Sequence, residues 1–493
     1  MNHERPIGHW SDRPGFRCVL VAAMLALGTY WFYTAMVPWA TFLNSDHAVP
    51  YAMTLDPWTK QDFYFWRAAR FGSLYVVFWK ALGKVIFGTA AEPFYLGHCL
   101  AFFIGMSLWL MALSRPLTRL LFCYLMLPIN IMAAQMFLMA GQLYGMSFLL
   151  LGAMTFLVVK AKPSGLRMAL MGLVAGLAYW QHEPSGLLCV FLFAGDQLSH
   201  KQPRGFSNQV RQFVRVCWPF VATAVPLLIF AEVARVWSAQ WGAPAHTTFS
   251  NWSAFRNSLI HIFRHGLRCH SGLIFGRTLL CGLAWLGIGV SLYGGIFSRR
   301  YVQDTDRRIA LITAAFCIAT ALIIVLIAGN DWFVANGRDD RYFLFLLAPI
   351  CFFMLWLLES GFGSGLYRWI LIALLLILTS RSHVGDVQGL VFSQSAKQRA
   401  AGDYDRAMLR IAQMDRDRCA GYIGGHSDSF ILTPLTNGRL LAQGFDAEMN
   451  IHLFARIQAL PAFCLRRTID QSFIRRITEG RTCVPMADVL RCT

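Results

Sequence analysis

Apolar runs of about 20 residues, the helix length that crosses a bilayer's hydrocarbon core, recur from Phe16 to about residue 381. A chain that repeats such runs cannot hide them all inside a water-solvated core, so lipid is the expected solvent for most of it. Composition agrees: 56% of the 493 residues are hydrophobic and 14% are charged, against roughly 45–50% and about 25% in ordinary soluble domains. The first run, Phe16 to Trp39, is too long for the apolar core of a signal peptide. It also ends without a small-residue cleavage pattern, so it reads as a retained span.

Candidate spans cover about 16–39, 94–114, 117–134, 143–160, 167–182, 184–198, 214–234, 272–297, 309–329, 342–358 and 367–381. The expected fold is therefore a polytopic α-helical membrane protein with about 11 transmembrane helices in residues 1–381. The formal net charge of +18 points to nucleic acid only until the Lys and Arg are located. They gather in short connections: Arg115 and Arg119; Lys160, Lys162 and Arg167; Lys201, Arg204, Arg211 and Arg215; Arg299, Arg300, Arg307 and Arg308. Short basic loops mark the cytoplasmic side of a membrane protein. No basic nucleic-acid module is present, so nucleic acid is excluded as a partner and membrane lipids are expected instead.

With Arg5, Arg13 and Arg17 also inside, an odd number of spans sends the C-terminus outward. Three longer segments then face the outer side: about 40–93, about 235–271, and everything after Ser380. Phe71 to Ala91 is apolar enough to pass for a further span, but Lys80 and Lys84 lie four apart on the face shared with Arg70 and Ser73. A basic stripe beside Trp79 predicts a helix lying flat in the interface. Residues 382–493 change composition abruptly and predict a small soluble α/β domain. Its expected elements are a helix over about 403–414, strands near 421–423, 430–432 and 439–443, and helical pattern over 447–459. Nine of the 13 cysteines fall in or near apolar runs; the other four, Cys419, Cys464, Cys483 and Cys492, lie in this domain. An even number permits disulfides if the domain faces an oxidising compartment, with three pairings open.

The segment most informative about chemistry is Thr41-Phe42-Leu43-Asn44-Ser45-Asp46-His47-Ala48-Val49-Pro50-Tyr51-Ala52, just beyond the first span. An acid here reaches a hydroxyl at the membrane surface while staying ionised, which makes Asp46 a candidate general base. Helix capping by Ser45 or Asp46 explains the same residues equally well. His182-Glu183-Pro184 forms a tight outer turn, and Glu183 sits near the hydrocarbon boundary, where a charge tends to face a cavity or a partner. Solvated turn chemistry is as good an account of it. Asp304-Thr305-Asp306, Asp403-Tyr404-Asp405 and Asp415-Arg416-Asp417 mimic a metal-binding pattern but read as surface charge pairs. His261, His265 and His270, with no nearby acid pattern, read as an interfacial face rather than a metal site. A divalent metal is possible but not indicated, and no other cofactor is.

A first span, then an Asp-His-Ala motif (Asp46, His47, Ala48), then an interfacial outer loop: this arrangement resembles the GT-C superfamily of membrane glycosyltransferases. That superfamily includes the protein O-mannosyltransferases and the aminoarabinose transferases of lipid A. Arg341-Tyr342 entering an apolar run that ends at Pro349, and an outward domain after the last span, add to the likeness. It departs at His47, where many relatives carry a second acid. The resemblance implies an inverting transfer from a polyprenyl-phosphate sugar donor to a lipid, polysaccharide or protein acceptor. Asp46 would be the base, and His47 and Tyr51 would contact substrate. It also implies a bacterial inner membrane, with the N-terminus cytoplasmic and the C-terminal domain periplasmic. A departing phosphate needs fixed positive charge, and Arg338 with Arg341 and Tyr342, assisted by Arg70, Lys80 or Lys84, are the candidates. The lysines equally suit anionic headgroups.

Two other functions compete. A transporter or lipid flippase would show repeated halves and broken helices at matching positions, which the sequence lacks. A non-catalytic scaffold would tolerate loss of Asp46.

Overall fold

The computed structural model describes residues 14–35, 45–63, 73–126, 138, 144–199, 206–239, 250–265, 304–335, 338, 340–359, 394–425, 429–444, 451–467, 469 and 471–493. Helix α1 (Pro14–Tyr30) runs into a π-helical turn, Trp31–Ala35, and α2 covers Ser45–Leu55. After a 3-10 turn at Lys60–Phe63, α3 (Ser73–Phe78) continues through a π-helical stretch (Trp79–Gly83) into α4 (Lys84–Phe87). The bundle proper follows: α5 (Ala91–Ala112), α6 (Pro116–Met126), α7 (Tyr144–Lys160), α8 (Gly165–Gln181), α9 (Glu183–Ser199), α10 (Phe206–Ala239), α11 (Trp252–His265), α12 (Asp304–Ala328), α13 (Asp331–Ala335), a 3-10 segment Asp340–Leu346, and α14 (Leu347–Glu359).

Five helical stretches are long and apolar enough to cross a membrane: Gly15–Tyr33, Ala91–Ala112, Cys217–Trp237, Arg308–Ala328 and Tyr342–Glu359. The expected eleven is not reached among the described residues. Helices α7, α8 and α9 have 17 residues each and α6 has 11, and at 1.5 Å per residue 17 give about 26 Å against a core of roughly 30 Å. The spans expected at 272–297 and 367–381 lie outside the described residues. An apolar outward face supports lipid as solvent: along α10, Trp218, Val221, Val225, Ile229, Val233 and Val236 are exposed, while Phe220, Ala224, Ala231 and Ala234 are buried. Side chains three and four apart form one stripe on a helix. Facing water, an apolar stripe of this length would be a costly feature.

The helices pack through glycine. A Cβ on Gly172 of α8 would stand 2.2 Å from the Phe220 carbonyl oxygen of α10, and one on Gly176 would meet Leu227 at 2.6 Å. Thr223 Oγ1 donates across the same contact to the Ala169 carbonyl at 2.8 Å. Gly105 of α5 lies against the α7 backbone at Leu149, and Gly195 of α9 against α12 at Ile312. In lipid, where apolar burial does little to join helices, such close approach supplies the packing. Gly172→Ala must therefore push α10 away, and its thermal midpoint in detergent is expected to fall by the equivalent of about 1–3 kcal/mol. Gly165→Ala, with nothing within 4 Å of the added atom, is the control; equal midpoints for the two would refute this account.

Opposite ends of the bundle differ. At one, the Glu359 carboxylate accepts the backbone N–H of Ser114 (2.8 Å) and Arg115 (2.7 Å), capping α6, and Lys160 Nζ donates to Ser114 Oγ at 2.9 Å. A carboxylate at a helix N-terminus satisfies N–H groups that lack intrahelical partners. At the other end stand Ala91, the 182–183 turn and the C-terminal domain.

That domain opens with α15 (Gln394–Arg416), longer than the expected 403–414. There follow β1 (Gly421–Gly424), α16 (Leu432–Leu435), β2 (Leu441–Gly444), α17 (Ile451–Ala459), β3 (Phe463–Arg466), α18 (Gln471–Ile477), β4 (Cys483–Pro485) and β5 (Val489–Cys492). The sheet order is β2-β1-β3-β5-β4, with β1 parallel to both neighbours and β5 antiparallel to both of its own. The strand expected at 430–432 is instead a turn entering α16. Pro434 suits a helix's first turn, and Asn437 and Gly438, at φ +49° and +80°, end it in the left-handed region. Phe430 and Leu432 are apolar because they are fully buried, not because they pair in a ladder. Disulfides join Cys419 to Cys464 and Cys483 to Cys492, so one of the three open pairings is realised.

Helix α2 lies between the two units. Ala48, Val49, Ala52 and Met53 share a buried cluster with Ile423, Phe430, Leu441, Leu453 and Ile457 of the C-terminal domain. Tyr51 packs edge-on against Phe94 of α5, ring centroids 5.7 Å apart. Asn437 Oδ1 accepts the Ala91 N–H at 3.0 Å, Arg456 pairs with Asp56, and Gly438 sits against Leu55, where a Cβ would come within 2.6 Å.

Candidate functional site

Asp46 is the second residue of α2; its side chain lies outside the described residues, as do the side chains of Arg70 and Arg341. The backbone around Asp46 is distinctive. Pro50 falls inside α2, so the N–H that residue 50 would give the Asp46 carbonyl is missing. The rest of α2 is rigidly held. His47 is fully buried, and its carbonyl accepts the Tyr95 hydroxyl at 2.9 Å. Tyr51 is buried too and donates its phenol to the Thr89 carbonyl; burial pushes that phenol's pKa upward, keeping it a neutral donor. His47 and Tyr51, expected as substrate contacts, thus hold α2 between the bundle and the C-terminal domain.

The two lysines point the other way from expectation. Lys80 Nζ meets Asp62 Oδ2 at 2.7 Å, both side chains at most 2% exposed, and donates to the Pro57 carbonyl at 3.1 Å. Its ammonium also lies 5.2 Å from the centre of the Trp58 ring, a cation–π contact. Burial pushes the Asp62 carboxyl up and the Lys80 ammonium down, each opposed by the partner's charge. Lys84 Nζ donates to the Thr54 carbonyl at 3.1 Å. Outward, the same helical stretch shows Phe78, Leu82, Val85, Ile86 and Phe87. This helical stretch thus turns its apolar side out and directs Lys80 and Lys84 to partners within the protein, where the Lys80 ammonium is satisfied by the Asp62 carboxylate. Thr54 lies eight residues after Asp46 in α2, about 12 Å along the axis at 1.5 Å per residue. Lys84 is therefore anchored at the end of α2 away from Asp46.

Glu183 begins α9 beside a polar collar. His182 Nδ1 lies 2.9 Å from Ser185 Oγ, Gln181 Oε1 accepts the Leu74 N–H at 3.3 Å, and Tyr179 donates to Glu232 Oε1 at 2.6 Å. The His182 ring meets Phe345 edge-on at 4.6 Å. This brings the 182–183 turn against the 3-10 segment that carries Arg341 and Tyr342. Tyr342 packs on Phe333, centroids 5.7 Å apart. Arg338 adopts φ +59°, and its Nε donates to the buried Ser258 Oγ of α11 at 3.1 Å. A non-glycine residue in the left-handed region costs of order 1 kcal/mol or more and persists where surroundings over-determine it. The structure thus joins Glu183 with the 340–346 segment, and His47 with Tyr51.

Three buried acids were not singled out in the sequence: Asp56, Asp62 and Asp196. Asp196 is fully buried, 2.6 Å from Arg167 and 2.9 Å from Arg308. An acid inside a run expected to span, with an arginine at the start of the neighbouring run, was the signal that finds it. Among the described residues no group of three His, Cys, Asp or Glu side chains could hold a metal ion. Asp403 and Asp415 pair with Arg406 and Arg439 at the surface, while the side chains of Asp304, Asp306 and His265 lie outside the described residues. Compared with protein-family models, with curated proteins and with solved structures, the chain matches none.

Proposed function

We propose that the protein is a membrane glycosyltransferase of the GT-C kind, taking a sugar from a polyprenyl-phosphate donor and giving it to a hydroxyl of a lipid, polysaccharide or protein acceptor. The observation that supports this reading is α2, fixed on both faces from His47 onward, with an acid at its second position and the first apolar helix before it in the chain. Precise placement is what a general base requires. Asp46 takes the acceptor's hydroxyl proton as that oxygen attacks the anomeric carbon. The bond from that carbon to the lipid phosphate breaks, and the configuration inverts. Arg338 and Arg341, at the ends of one short segment beside Tyr342, supply positive charge to the departing phosphate. Lys80 is left out of this step because its charge is buried against Asp62, and Lys84 because it is anchored at the end of α2 away from Asp46. The reading includes a full set of about 11 spans, an outward C-terminal domain whose four paired cysteines suit an oxidising compartment, and a bacterial inner membrane.

The test is transfer from a set of polyprenyl-phosphate sugars in membranes, wild type against Asp46→Asn. Undiminished transfer by the folded variant removes Asp46 as the base.

A further inference from the structure

The bundle end with the basic connections holds a cluster that the proposed chemistry does not use. Arg167, in the first turn of α8, gives Nη2 to Asp196 Oδ2 at 2.6 Å and to the Val158 carbonyl at 3.1 Å, and Nε to the Leu157 carbonyl at 2.8 Å. Arg308, near the start of α12, gives Nη2 to Asp196 Oδ1 at 2.9 Å and to the same Val158 carbonyl. Gln197 Nε2 adds a contact to Asp196 at 3.3 Å. Two guanidinium groups thus share one carboxylate, an excess of one positive charge among these side chains.

Donors are in excess as well. Arg167 Nη1 and Arg308 Nε are buried and have no hydrogen-bond partner among the described residues, although the Arg167 side chain is only 2% exposed. Helices α8 and α12 both start at this point, and a helix N-terminus is itself positive. Placing an arginine there runs against the helix dipole, and a buried cation without a full set of acceptors is strongly penalised. An anion with several acceptor oxygens, reaching the exposed side of the Arg308 guanidinium, offsets the excess charge, and a phosphate is the group that arginine forks fit best.

We infer that the Arg167–Asp196–Arg308 cluster binds the phosphate of an anionic lipid headgroup. The way in is from Arg308, whose side chain is 31% exposed. Leu166, one residue before Arg167, and Leu198, two after Asp196, are exposed beside it and offer an apolar surface to acyl chains. A soluble phosphate has no use for that surface, so a lipid is the fitting occupant. Lipid here ties α8, α9 and α12 together at their shared end.

The full-length protein is tested after reconstitution into vesicles of phosphatidylglycerol and phosphatidylcholine in equal amounts, followed by gentle extraction and mass spectrometry of retained lipid. Wild type is expected to keep phosphatidylglycerol over phosphatidylcholine by about tenfold, the scale of one charge-assisted hydrogen bond. Arg308→Gln is expected to bring the ratio near parity, whereas Arg308→Lys, which keeps the charge, and Lys162→Gln, at an exposed position outside the cluster, are expected to retain the preference. Millimolar inorganic phosphate is expected to leave the retained lipid in place. Parity in wild type, an unchanged ratio in Arg308→Gln, or displacement by inorganic phosphate would each overturn the assignment. Because sugar transfer is not read out, these outcomes are separate from the fate of Asp46.

Discussion

Asp46→Asn is expected to lower the rate of sugar transfer by about 10²–10⁴-fold, the usual contribution of a positioned general base, while leaving the folded protein essentially as stable as wild type. The second half of that expectation makes the first informative. Position 46 is the second residue of α2, and Asn is as well suited as Asp to the opening of a helix. The neighbouring anchors, the His47 carbonyl on Tyr95 and the Tyr51 phenol on Thr89, involve other groups. A thermal melt within a degree or two of wild type combined with lost transfer is the signature of a base. A parallel loss of stability and transfer would instead assign the lost transfer to a disturbed α2, and retained transfer would leave position 46 as no more than a cap, which Asn fills as well as Asp.

Lys80→Met is expected to act in the opposite way, costing roughly 3–5 kcal/mol of stability, the range for breaking a buried ion pair by removing one partner. The lysine's loss strands the Asp62 carboxylate, whose Oδ1 is already buried without a partner among the described residues. The double substitution Lys80→Met with Asp62→Asn removes the stranded charge and is expected to recover much of the loss, because the coupling is local. Denaturation of the three proteins in one detergent measures this directly. Had Lys80 been a phosphate ligand, Lys80→Met would reduce transfer at unchanged stability, and the second substitution would restore nothing.

The contrast between these two residues shows where sequence reasoning stops. Helices α5, α7, α8, α9, α12 and α14 fall where the apolar runs are, because a lipid-solvated helix needs an unbroken apolar surface and that surface is written locally. Strand β1 and helix α17 were likewise legible from short-range pattern. Lys80 and Lys84, four apart, belong to one helical stretch, but nothing nearby in sequence says what covers a face. The partner of Lys80, Asp62, lies 18 residues away. The partner of Asp56, Arg456, lies 400 residues away. Phe430 and Leu432 were misread for a related reason, since apolarity reports burial and only the flanking Pro434 and Asn437-Gly438 report backbone shape. For the candidate site, the sequence supplied Asp46, Glu183 and Arg338. It did not reveal that α2 is an interior helix, because its cover is made by residues from the far end of the chain.

That separation has a consequence for how the molecule is made. Helix α2 leaves the ribosome long before the sheet that covers it, which begins only at Gly421. At about 5–20 residues per second the interval is tens of seconds. Throughout it Ala48, Val49, Ala52 and Met53 have no sheet to rest on. A nascent chain therefore carries α2 with one apolar face uncovered until the sheet is made, and a chain that stops before Gly421 leaves that face without its cover.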